Sequence, residues 1–103
     1  MGPEFVGFVA LEETLAFFIP TENTSDAPTN ADSAPTFTIY SVTSDDQTSL
    51  TTGTSANVQT GVYRVSKAIN ASDGFAAGGF YDVLVSYEMS ASARNKLFRF
   101  GVI

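Results

Sequence analysis

The sequence has no cysteine, no histidine and no tryptophan. Without cysteine there is no disulfide framework, no thiolate zinc site and no cysteine nucleophile. Without histidine, the commonest general base is gone, and a serine triad cannot be assembled. The missing tryptophan and disulfide also exclude the hallmark core of antibody domains. Bases are few: the chain carries 5 Lys and Arg against 11 Asp and Glu, a net charge of −6. Nucleic acid is therefore not an expected partner, because phosphate binding needs clustered cations. No run approaches the roughly 18 apolar residues of a membrane-spanning helix, so no membrane partner is expected. The start, Met1-Gly2-Pro3-Glu4-Phe5, lacks the basic region of a secretory signal. It reads either as a native start or, over Gly2–Phe5, as a cloning remnant. Val6 stands where a myristoylation motif wants Ser or Thr.

What is present is apolar and aromatic. Hydrophobic residues make up 44% of 103 residues, with 9 Phe and 4 Tyr. That is enough for one core, and the length suits a single domain of sandwich size. Charge is uneven along the chain. Residues 1–63 hold eight acids and no base, whereas residues 64–103 hold all five bases and three acids. Solubility explains this asymmetry, as does a contact between an acidic part of one molecule and a basic part of a neighbour.

Gly61–Tyr87 is the most regular stretch. Two alternating strands open with Gly61-Val62-Tyr63 and Gly79-Phe80-Tyr81. In the second, Tyr81, Val83, Val85 and Tyr87 share one face, the mark of a strand with one buried side. Phe98, Phe100 and Val102 alternate in the same way, and should be buried beside Tyr81, Val83 and Val85. Phe37 and Ile39 alternate against Thr36, Thr38 and Tyr40. Phe5–Ile19 also fits a helical stripe, but Gly7, the aromatics and Pro20 favour two strands bent at Glu12-Glu13. Thr21–Pro35 reads as a long polar loop, Ser44-Asp45-Asp46 as a tight turn, and Leu50–Thr60 as short edge strands around Gly53. A short helical turn fits Asp73–Ala77. The expected fold is all-β: a single antiparallel Greek-key β-sandwich of 7–8 strands, immunoglobulin-like or transthyretin-like. Residues 1–20 form its first strands or an arm, 21–35 the loop and 36–103 the sandwich core.

Candidate chemistry is thin. Glu12 and Glu13 are adjacent, so on a strand they point apart and do not form an acid–base pair. Asp26, Asn30 and Asp32 offer oxygen ligands without the spacing of a calcium loop. No nucleophile elbow or phosphate loop exists. The sequons at Asn23 and Asn70 read as coincidence in a chain rich in Ser and Thr. No enzyme activity and no cofactor are expected. The candidate partner-binding residues are Phe5 and Phe8, at an aromatic-rich amino terminus, and the basic cluster Arg94, Lys96 and Arg99. Phe5, Phe8, Phe17 and Phe18 exceed what a small core can take, so some of them should touch a partner. The basic cluster reads either as edge protection or as a patch for an acidic partner.

Glu13-Thr14-Leu15, the Asp/Ala/Pro loop, Ala34–Tyr40, Gly61-Val62-Tyr63, Ala77–Val83 and a final Leu-Phe-Arg-Phe strand together carry a likeness. From about residue 8 onward the chain resembles small immunoglobulin-like structural proteins of tailed bacteriophages. The resemblance implies a virion component made in the host cytoplasm. First among such roles is a decoration (cement) protein on the outer capsid surface, bound to the major capsid protein or to neighbouring copies. Second is a tail or head–tail accessory protein. It brings no catalytic residues. The alternative is an immunoglobulin-like module of a cell-surface adhesin or glycan-binding protein.

Overall fold

A computed structural model describes residues 3–42 and 47–103. The turn expected at Ser44–Asp46 lies outside the described residues. Eight strands follow one another: β1 (Glu4–Val9), β2 (Thr14–Pro20), β3 (Thr36–Val42), β4 (Gln47–Thr54), β5 (Ala56–Gln59), β6 (Val62–Ala68), β7 (Phe80–Met89) and β8 (Ser92–Val102). The short helical turn sits slightly earlier than expected, as a 3-10 turn at Ala71–Asp73. Five strands form one sheet in the order β1-β8-β7-β3-β4, and three form the other, β2-β6-β5. The two sheets make a small all-β sandwich of the expected class.

The expected all-antiparallel pairing has one exception. β1 lies parallel to β8, from Glu4 beside Phe98 to Val9 beside Val102. Parallel neighbours need a long crossover, and here the crossover is nearly the entire chain.

Period-two alternation builds the core. Phe37, Ile39, Tyr81, Val83, Val85, Phe98, Phe100 and Val102 point inward and are buried. Leu15, Ile19, Tyr63 and Val65 meet them from the smaller sheet. Tyr81 and Phe100 stack at 5.6 Å, and Phe75 contacts Tyr81 edge-on at 4.8 Å. These rings occupy the role that a disulfide and tryptophan fill in antibody domains. The Tyr81 hydroxyl accepts the Ala76 N–H at 2.8 Å, tying the start of β7 to the connection from β6.

Two local expectations are corrected. Gly53 does not separate two strands: it lies inside β4, where an added Cβ would strike the ring of Phe37. The break between β4 and β5 falls at Ser55, whose N–H and hydroxyl both donate to the Pro35 carbonyl. The last strand also begins earlier than expected, at Ser92, because a two-residue turn joins β7 directly to β8.

That turn, Ser90–Ala91, has positive φ at both positions, 50° and 63°. Such turns favour Asn-Gly, since other side chains crowd the backbone. Asp32 compensates by accepting both turn N–H groups, at 3.0 and 2.7 Å. Replacing Ser90 with Asn and Ala91 with Gly should raise stability by about 1 kcal/mol. A urea midpoint that fails to rise would argue against strain there.

The long loop is pinned rather than loose. Asn23 Oδ1 accepts the N–H groups of Ser25 and Ala27. Asn30 Oδ1 accepts the Gly61 N–H at 2.8 Å. Asn30 and Asp32 are thus spent on different backbone segments.

Candidate functional site

The outer face of the five-stranded sheet should be polar by alternation, yet its β1–β8–β7 end is aromatic. Phe5 and Phe8 are three residues apart, so a regular strand would send them to opposite faces. A bulge prevents this. Pairing steps from Phe5–Arg99 to Gly7–Phe100, leaving Val6 as the extra residue. Gly7 takes φ +121° there, a conformation that favours glycine. Val6 turns to the core, and both rings emerge on the outer face, a re-aiming for which bulges are suited.

Phe80 joins them from β7. It precedes the inward Tyr81, so strand parity places it outside. The three rings contact one another, with centroids 5.1 Å apart for Phe5–Phe8, 6.3 Å for Phe8–Phe80 and 6.5 Å for Phe5–Phe80. They remain exposed, at 47% for Phe5, 60% for Phe8 and 49% for Phe80. Gly101 provides their seat: a Cβ there would lie 2.5 Å from the Phe8 ring and 3.2 Å from that of Phe80.

Beside the rings lies an ion pair. Arg99, paired in register with Phe5, donates to Asp82 through Nε at 2.7 Å and Nη2 at 3.2 Å. The Asp82 hydrogen bond raises the Arg99 pKa above its ordinary value, so its charge is fixed. The Asp82 side chain is only 3% exposed, whereas Arg99 keeps 37%. The two charges cancel locally, so the ground beside the aromatics is neutral in a chain of net charge −6. Arg99→Ala would strand the buried carboxylate. Its expected cost is about 2 kcal/mol, between the values for surface and fully buried pairs because Arg99 is partly solvated. Removing both charges, as Asp82→Val with Arg99→Met, should recover most of it. A double variant no more stable than Arg99→Ala would contradict this pairing.

The five sequence candidates do not form one patch. Phe5, Phe8 and Arg99 come together on the outer face, with Phe80 added. Lys96 has the opposite strand parity, and its Nζ donates to the Pro20 carbonyl at 2.6 Å. Burial pushes the Lys96 pKa below its ordinary value, against the opposing pull of Glu22 and Glu4. Arg94 is exposed further up β8, next to Tyr87 in register. Of the remaining surplus rings, Phe17 packs tilted against Phe98 at 4.8 Å, while Phe18 is exposed on β2.

The carboxylates are occupied with backbone. Glu12 accepts the Ala71 N–H and Glu13 the Ala10 N–H. Among the described residues, no group of three His, Cys, Asp or Glu could hold a metal ion. What the arrangement offers is an exposed cluster of three mutually tilted aromatic rings beside a neutral ion pair. Comparison with protein families, curated proteins and solved structures finds no match to this chain.

Proposed function

We propose that this chain is a non-catalytic docking module that attaches to a protein lattice through the outer face of its five-stranded sheet. The observation that carries the reading is the exposed Phe5–Phe8–Phe80 cluster. From the usual area of an aromatic side chain, the three rings leave roughly 300 Å² in water. The largest apolar patch on a monomer is commonly about this size and is often functional. Aromatic residues at the centre with polar groups around them are the usual anatomy of such an interface.

The lattice we propose is a tailed-phage capsid, with the major capsid protein as partner. This step rests on the sequence resemblance. The uneven charge supports it in kind, since acidic and basic regions of one molecule suit repeated side-by-side placement. Individual contacts can be weak, because many copies on one shell act together. The effect would be mechanical: each copy adds interface that must break before the shell does.

The test is co-sedimentation. On this reading, shells assembled from the major capsid protein of the phage that encodes the chain are mixed with the purified chain. Saturable binding at a fixed ratio to capsid subunits is expected. A chain that stays in the supernatant would refute the capsid reading. Binding to purified tails instead would shift the role to a tail accessory.

A further inference from the structure

We infer that β2 is an acceptor edge for an extended segment of a partner protein in which lysine or arginine alternates with apolar residues. This site is separate from the aromatic face. β2 ends the three-stranded sheet, with β6 on one side only. The Glu13 carbonyl accepts the Ile69 N–H at 2.9 Å, and the Thr21 N–H donates to the Gly61 carbonyl at 2.7 Å. These bonds bracket the ladder, so odd-numbered residues of β2 face β6. By antiparallel geometry Thr14, Ala16, Phe18 and Pro20 turn their backbone groups outward; the Pro20 carbonyl accepts Lys96 Nζ, so Thr14, Ala16 and Phe18 are the positions that would receive a partner strand. Pro20, which has no N–H to give, fits that outward position. No strand among the described residues pairs with this edge.

There is room for a partner strand. A groove of about 460 Å³ lies along the end of β2, lined by Glu4, Phe18, Pro20, Lys96, Leu97 and Phe98. It opens because β1 joins β8 only from Phe98 onward, leaving the start of β8 uncovered. Phe18 and Leu97 stand 62% and 38% exposed there, ready to cover apolar side chains of an added strand. Strand addition of this kind draws affinity from main-chain bonds and specificity from alternate side chains.

Charge selects the occupant. Glu4 lines the groove, Glu13 precedes β2 and Glu22 follows it. Lys96, which donates to the Pro20 carbonyl, keeps its positive charge and lines the groove too, but three carboxylates against one ammonium leave the edge net negative. A second copy of this chain does not fit. Its own β2 would bring further carboxylates, and its one basic stretch, Arg94–Arg99, is built into β8.

The probe is the hexapeptide acetyl-Val-Lys-Val-Lys-Val-Lys-amide, with a twin carrying Glu for Lys, titrated into the labelled chain by NMR. Hydrogen exchange at the Ala16 and Phe18 amides is expected to slow about tenfold or more at saturation. The Glu peptide should bind about tenfold more weakly. Ala16→Pro removes an outward N–H and should abolish binding with the spectrum still dispersed. Glu4→Lys tests the same site without altering β2, and should weaken the Lys peptide while strengthening its twin. Phe8→Ser should leave both affinities unchanged. Equal affinity for the two peptides, unslowed Ala16 and Phe18 amides, or a Glu4→Lys variant that binds like the parent would overturn the proposal.

Discussion

Phe100→Ala is expected to cost ~3–5 kcal/mol. Phe100 is fully buried on β8. It stacks on Tyr81 and lies 6.1 Å from Phe75, so its ring links both central strands to the β6–β7 connection. No disulfide reinforces the sandwich, since the chain has no cysteine. Truncation would leave a cavity where aromatic packing is densest. A domain of this size has about 5–15 kcal/mol of stability in total, so much of it would go. Urea unfolding of both proteins measures the difference. A loss below about 1 kcal/mol would mean that neighbouring groups close the gap, or that the ring is not central.

Replacing Phe5, Phe8 and Phe80 together with Ser should lower affinity for the docking partner about 100-fold or more. Truncating a hot-spot residue at an interface centre costs about 2 kcal/mol or more, and 1.4 kcal/mol is about tenfold. Stability should fall by about 1–2 kcal/mol per ring, because about half of each is out of water, less per residue than for Phe100→Ala. The contrast separates docking from folding. Phe100→Ala should harm stability first, and the triple variant binding first. If each ring alone cost as much stability as Phe100 does, the rings would belong to the fold. If it bound normally, the partner would use another surface.

Much of this architecture could be read from alternation. Phe37 and Ile39, Tyr81 to Val85, and Phe98 to Val102 have strict period-two patterns, and all point to the core. What escaped reading depends on distant partners. Ser90–Ala91 carries no turn residues, and its carboxylate support, Asp32, lies 58 residues away. The start of β8 was therefore invisible. Gly53 looked like punctuation, but it clears space for Phe37 across a strand pair. The parallel placement of β1 follows from its meeting β8 at the far end of the chain.

The docking face was half readable. Phe5 and Phe8 stood out as surplus aromatics, but their shared face depends on a bulge at Val6–Gly7. Glycine within an apolar strand was the available signal for it. Parity with Tyr81 places Phe80 outside, but its meeting with Phe5 and Phe8 depends on the parallel placement of β1 beside β8, which no local pattern encodes. The basic cluster dissolved for the same reason: Lys96 and Arg99 differ by three positions and so face opposite ways.

The most direct measurement is hydrogen–deuterium exchange of the chain alone and bound to the assembled lattice. Protection should rise in β1, at the start of β7 around Phe80 and at the end of β8 around Gly101. β5 and the loop of residues 21–35 should be unchanged. Protection confined to β5, to that loop or to the Ser90–Ala91 turn, with β1 unaltered, would contradict docking through the aromatic face.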